Sequence, residues 1–277
     1  MGERGCWVYG VTDTEPAGLG DLGDVPGVAG GAVRAVPAGP LTAVVSDVDL
    51  DEFGADALAR NLEDLDWLER VARAHHHVIE AAWRRAPVLP VGLTTVYSGE
   101  PSMAEALGAR RRELTDALAV IRGRAEWGVK AYPQPRQTQP DYPERTSGDS
   151  GAAPGSGAGL AYLKRRRERL NADRDSRRDA AEAARALHQA LAARAAGARL
   201  HPPQSPRLTR ADAPMLLNAA YLLDAGQAGF PDTGFPDTVA AEAAARPELR
   251  VEVTGPWPPY SFAGPGREET TVREAGS

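Results

Sequence analysis

Three adjacent histidines, His75-His76-His77, are the densest group of metal-capable side chains in the sequence. Consecutive residues on a helix point about 100° apart, and zinc sites want i,i+4 spacing with further ligands. The triplet therefore reads as one buried and two exposed imidazoles rather than a chelate. Asp47, Asp49 and Asp51 alternate as in a calcium loop, but the glycine and closing glutamate of an EF-hand are missing. They read as a solvated strand-to-helix connection. The single Cys6 cannot form an internal disulfide, which suits the cytosol, and its apolar neighbours mark it as a core thiol. His188 and His201 have no nucleophile or ligand near them in sequence. No GxGxxG, Walker loop, CxxC, HExxH or GxSxG is present. The expectation is no catalytic residue, no metal and no cofactor.

The second chemical feature is basic. The stretch 164–178 is rich in Arg, and a nucleic-acid-binding module is one reading of it. Interleaved Glu168, Asp173 and Asp175 favour a salt-bridged exposed helix instead. The whole chain of 277 residues carries net charge −6. Residues 1–125 hold 12 Arg and 19 Asp/Glu (net −7), and residues 126–277 hold 20 Lys/Arg and 19 Asp/Glu (net +1). That balance argues against a general polyanion binder. No run of 18 apolar residues predicts a membrane span, and the N-terminus lacks the pattern of a secretory signal.

The third feature is aromatic. Leu249 to Thr254 alternate as a half-buried strand, and Gly255-Pro256 is expected to stop its ladder. Trp257, Tyr260 and Phe262 follow on a proline-stiffened backbone. With Trp257 set between Pro256 and Pro258, the expectation is a plug that closes the core; a docking surface is the alternative.

Around these features the chain reads in order as follows. Strands are predicted at 7–12, 32–36 and 41–46, the last two joined by a four-residue turn at 37–40. One helix is predicted from Ala55 to Arg85, with Leu58, Leu62, Leu65, Leu68, Val71 and His75 among its buried stripe. A broken strand at 88–97 and one helix from Pro101 to Arg122 complete a first unit. A strand at 126–132 opens a second. It is followed by a disordered insertion at 133–159, a long helix from 160 to 199, and a short edge strand near 207–209. The apolar run 215–224 fits strand or helix by pattern alone; as a strand it gives a βαββαβ, ferredoxin-like order. The tandem Gly-Phe-Pro-Asp-Thr at 229–238 reads as a loop, and Thr238–Arg246 as a short helix. The expected architecture is α+β with two domains: an N-terminal α+β domain (1–123), a C-terminal ferredoxin-like βαββαβ domain (124–262), and a disordered tail (263–277).

Several stretches taken together resemble the gas vesicle GvpL/GvpF family. They are Val8-Tyr9-Gly10-Val11, Ala43-Val44-Val45-Ser46, the His-rich helix leading into Val88-Leu89-Pro90-Val91 and Thr95-Val96-Tyr97, Glu126-Trp127-Gly128-Val129-Lys130, and Gly255-Pro256-Trp257-Pro258-Pro259-Tyr260-Ser261-Phe262. Asn218-Ala219-Ala220-Tyr221-Leu222 and Ala161-Tyr162-Leu163 add to the match. Gly92 departs from it, standing where members often carry Arg. The resemblance implies a modified ferredoxin-like C-terminal domain and a non-enzymatic accessory role in vesicle formation. Its implied partners are the hydrophobic major shell protein and other accessory proteins, with the chain either an assembly factor or a minor shell component. It marks Trp127, Gly255, Pro256, Trp257, Pro258, Pro259, Tyr260 and Phe262 as family-motif or candidate partner-binding residues. The competing functions are the nucleic-acid module on 164–178 and an uncharacterised enzyme.

Overall fold

The computed structural model describes residues 3–134, 157–204, 213–224 and 234–264. The fold is α+β, with two antiparallel sheets. The first sheet is built on β1 (Arg4–Thr12), whose residues are buried from Gly5 onward. One face of β1 sends Trp7 and Tyr9 into a cluster with Phe53, Val71 and Ile79. The other sends Cys6, Val8 and Val11 into a second cluster. A register shift between Val8 and Gly10 turns Val11 to the same face as Cys6 and Val8.

A short helix α1 (Pro16–Leu19) precedes the hairpin of β2 (Val33–Ala38) and β3 (Leu41–Asp49). Ala38 pairs Leu41, so the turn is the two residues Gly39-Pro40, not the expected four. Gly39 supplies a left-handed φ of 66°. Pro37 can stay inside β2 because β2 is the edge of the sheet order β2-β3-β1-β4.

The predicted helix 55–85 is two helices, preceded by the single turn α2 (Leu50–Phe53). α3 (Ala55–Asn61) ends, and the Asp64 carboxylate accepts the N–H groups of Asp66 (3.0 Å) and Trp67 (3.2 Å) to start α4 (Leu65–Trp83). This cap resets the helical phase. Leu65, expected in the core, is 77% exposed, and Trp67 takes the buried place. The broken strand becomes β4 (Leu89–Pro90) and β5 (Val96–Tyr97), both paired to β1. Between them Thr95 N–H donates to the Gly92 carbonyl, and a Cβ on Gly92 would meet nothing nearer than Thr95 Oγ1 at 3.8 Å. The predicted helix 101–122 also divides, into α5 (Glu100–Ala109) and α6 (Arg111–Ile121). The joint is Arg110, whose guanidinium turns to the Glu113 carboxylate at 2.6 and 3.0 Å.

The second sheet contains β6 (Arg124–Pro133), β7 (Gly197–Leu200), β8 (Leu217–Asp224) and β9 (Leu249–Trp257) in the order β7-β8-β6-β9. With α7 (Gly157–Ala192) after β6 and α8 (Phe235–Ala244) before β9, this is the ferredoxin-like split βαβ order. Both helices cover one face. Trp127, Val129, Ala131, Leu217, Tyr221 and Leu249 meet Ala180, Ala184, Leu187, Leu191, Phe235 and Val239 there.

Several boundaries differ from expectation. α7 stops at Ala192, and 197–200 is an edge strand rather than helix; the expected strand at 207–209 lies outside the described residues. The second copy of the duplication opens α8, with Pro236 in its first turn, where its missing N–H costs nothing; the first copy lies outside the described residues. Pro133 closes β6 and Gly157 begins α7, so the insertion expected at 133–159 falls mainly on 135–156, outside the described residues, as does the tail from 265. Finally, β9 does not stop at Gly255-Pro256. A register shift between Glu126 and Gly128 carries it across the cis Gly255–Pro256 bond, and Trp257 pairs Glu126.

The two sheets are not independent of each other. The cluster on the second face of β1, closed by Met103, Leu107, Leu114, Leu118 and Ile121, also takes in Ala220 and Leu222 of β8 and Phe262.

Candidate functional site

The segment from Gly255 to Phe262 lies where all three apolar clusters meet. Behind it stands Trp127, whose ring packs 5.9 Å from that of Phe235. Gly255 (φ 129°) lies directly over Trp127: a Cβ there would sit 2.9 Å from the Glu126 carbonyl and 3.0 Å from Trp127 Cε3. Only glycine lets β9 pass this close to β6. Pro258 and Pro259 are buried, and Tyr260–Phe262 form one 3-10 turn.

Polar groups fasten that turn. Glu126, 8% exposed, projects from the face of β6 opposite Trp127. Its carboxylate accepts the Ser261 backbone N–H and the Ser261 hydroxyl, each at 2.6 Å. His201 Nε2 lies 3.0 Å from the same hydroxyl. The Tyr260 hydroxyl is 2.7 Å from His76 Nδ1, and the two rings are 5.7 Å apart. Phe262, 7% exposed, enters the shared cluster, with the Arg199 guanidinium 5.4 Å from its ring centre.

The plug is therefore Phe262 rather than Trp257. Trp257 is 38% exposed and meets His76 edge-on at 5.6 Å. Its displacement follows from the extra strand residues: pairing with Glu126 holds it on the sheet edge, and the chain turns inward only at Pro258. Gly255, Tyr260 and Phe262 act as anchors, and Trp257 is the aromatic surface they present.

The histidine triplet divides as its helical spacing requires, with one change. His75 is buried, and its Nδ1 accepts the Trp7 indole N–H at 2.9 Å. His77 is exposed. His76, expected to be exposed, is half-buried because Tyr260 and Trp257 cover it. Among the described residues no group of three His, Cys, Asp or Glu could hold a metal. Asp47 pairs with Arg34 at 2.7 Å, and the Asp49 carboxylate caps α2 through Asp51 N–H. Cys6 is sealed in the core, where burial pushes its thiol up to about 11, far from a reactive thiolate. His188 Nδ1 meets the Tyr221 hydroxyl at 2.9 Å, and burial drives that phenol well above its ordinary range. The Arg-rich stretch is the exposed outer half of α7, where Arg178 pairs with Asp175 and Asp179. An open groove of about 520 Å³ runs along α4, lined by Pro26, Asp66, Glu69, Arg70, Arg73, Ala74 and His77. It contains none of the motif residues.

The sequence pattern missed Glu126, His76 and His201 as fasteners. Glu126 carries only a weak signal, a charge between Ala125 and Trp127, because Arg124 and Lys130 share its face of the strand. The two histidines carry none, since their partners are remote in sequence.

The chain is similar to known proteins over nearly its whole length. The family model described as "Gas vesicle synthesis protein GvpL/GvpF" matches residues 5–264. Gas vesicle protein L of Streptomyces sp. (strain CB03234) is 36% identical over 252 residues, covering 90% of each chain. Gas vesicle protein F of the same strain is 26% identical over 264 residues, covering 92% of this chain and 98% of that one. The crystal structure of GvpF from Anabaena sp. PCC7120 superposes with a TM-score of 0.63 at 17% identity, over 95% of this chain and all of that one. GvpF from Microcystis aeruginosa gives 0.59 at 16% identity, over 94% and 98%. At such identities the structural matches speak for the fold.

Proposed function

The chain belongs to the GvpL/GvpF family of gas vesicle synthesis proteins, and on that premise we propose that it is a non-enzymatic assembly factor that binds the hydrophobic major shell protein. A role in gas vesicle formation follows from membership; the shell-protein partner, the cytoplasmic setting and contacts with other accessory proteins are our reading. No described helix is long and apolar enough to cross a membrane. A shell subunit that faces gas on one side exposes an apolar face before assembly and needs a soluble handler.

The observation that supports this reading most is Trp257. It is an exposed indole on a backbone already fixed by buried prolines, by Tyr260 on His76 and by Ser261 on Glu126. A pre-ordered aromatic loses little conformational entropy on docking, which is the property of an interface anchor. The test is co-expression with the shell protein followed by pull-down, comparing wild type with Trp257→Ala. Capture by wild type and loss in a folded Trp257→Ala support the reading; undiminished capture by the variant overturns this site, and no capture by wild type overturns the partner.

A further inference from the structure

β9 ends the second sheet, and among the described residues β6 alone pairs with it. Its free edge has a definite hydrogen-bonding parity. Gln134 N–H donates to the Glu248 carbonyl at 2.7 Å, so residue 248 points its backbone groups inward, toward β6. The register then runs without a break from Pro133↔Leu249 to Gly128↔Thr254. Backbone groups alternate in an antiparallel pair, so Arg250 and Glu252 also point theirs inward, and Leu249, Val251 and Val253 point theirs outward. Leu249 N–H is taken by the Arg246 carbonyl, which leaves the Leu249 carbonyl and both groups of Val251 and Val253 on the open edge.

Exposed edges are ordinarily blunted by proline, a bulge or an outward lysine. Between Leu249 and Thr254 this edge carries none of these; Pro247 and Pro256 bracket it. Its two charges are Arg250 and Glu252, on one face at i and i+2 and paired with each other, with the Arg250 guanidinium also 4.3 Å over the Tyr132 ring.

We propose that this edge pairs antiparallel with β9 of a second copy of the chain, about a two-fold axis at Val251. The two Val251 residues then exchange both backbone hydrogen bonds, and each Val253 N–H donates to the partner's Leu249 carbonyl. Arg250 of each copy falls directly opposite Glu252 of the other, at the close, non-hydrogen-bonded positions. Half-buried Val251 and Val253 lose further solvent exposure on the helix-covered face. A centre at Arg250 or Glu252 would instead set like charges opposite each other. The edge is self-complementary in this one register, as a closed two-fold interface requires. The pairing does not depend on the shell-protein reading, because Trp257 lies beyond the paired residues.

The experiment is sedimentation of the full chain from about 10 to about 500 μM, a range suited to a small contact. Wild type is expected to shift from monomer toward dimer. Arg250→Glu and Glu252→Arg, each alone, place like charges opposite each other twice and weaken association about tenfold or more. A 1:1 mixture of the two restores complementary pairs in the heterodimer and recovers association. Loss of the ion pair within one chain cannot produce that recovery. Should either charge variant prove unfolded by circular dichroism, Val251→Pro replaces it. This variant removes an outward N–H, leaves the β6 ladder intact, and is expected to be monomeric. Wild type remaining monomeric throughout overturns the proposal, including the case where removing residues 135–156 then uncovers a dimer. A dimer indifferent to all three variants overturns it as well.

Discussion

Replacing Gly255 by alanine tests the geometry of the motif most directly. The added methyl carbon would lie 2.9 Å from the Glu126 carbonyl oxygen and 3.0 and 3.2 Å from two carbons of the Trp127 ring. Neither neighbour can withdraw: one is backbone in the central strand β6, and the other is a buried indole against Phe235. The residue also holds φ at 129°, where an L side chain is strained by about 1–3 kcal/mol. Overpacking adds about 1–3 kcal/mol. The expected loss is about 2–6 kcal/mol, or roughly 4–24 °C in melting temperature at about 2–4 °C per kcal/mol for chains of this size. Gly108 is the control. It lies in α5 with open space where a Cβ would stand and no unusual φ. Alanine there is expected to stabilise by up to about 1 kcal/mol through helix propensity. Thermal melts followed by far-ultraviolet circular dichroism and by tryptophan fluorescence read both variants. If the two substitutions move the melting temperature in the same direction, or Gly255→Ala leaves it unchanged, the close approach of β9 to β6 is wrong.

Other outcomes follow from the same packing. Phe262→Ala empties a place in the shared cluster and is expected to cost about 3–5 kcal/mol, read by denaturant titration; a loss below about 1 kcal/mol would mean that the ring is not a plug. Tyr260→Phe removes the hydroxyl from His76 and should lower stability by about 0.5–1.5 kcal/mol without altering the fold, read in the same titration. Cys6 should resist iodoacetamide at pH 8 in the native protein and react once it is unfolded, with mass spectrometry as the readout. Its thiol is raised from 9.0 to about 11 by burial, so its contribution to stability is full below pH 9 and is lost as pH rises through about 11. Melting temperatures of wild type and Cys6→Ala should therefore converge at high pH.

Much of the fold was legible because its signals are local. Alternation marks β9, short apolar runs mark β1, β3 and β6, and the βαββαβ order is within reach once 215–224 is read as a strand. Helix breaks were less legible. Leu58, Leu62, Leu65 and Leu68 continue one stripe by spacing, but the Asp64 cap divides it, and a capping aspartate looks like any surface acid in a run of acids. The end of α7 was lost for a related reason: alanines near 192–196 favour helix intrinsically, and only pairing with β8 turns Gly197–Leu200 into a strand. At the motif, composition identified the segment but not the direction of each ring. That direction depends on a register shift opposite Glu126, which no one-dimensional pattern contains. Phe262 fills the core place expected of Trp257, which stays on the surface.

The shared cluster also has a consequence in time. Cys6, Val8, Val11 and the stripe of α5 and α6 are all synthesised by residue 121, yet Ala220, Leu222 and Phe262, which complete their burial, come roughly 100–140 residues later. At about 5–20 residues per second, the ribosome leaves that apolar face incomplete for roughly 5–30 seconds. That face is expected to need shielding while the chain is being made. The turn that carries Phe262 is what ends that exposure, so a stop codon a few residues before Phe262 would release a chain with an open core rather than a slightly shorter protein.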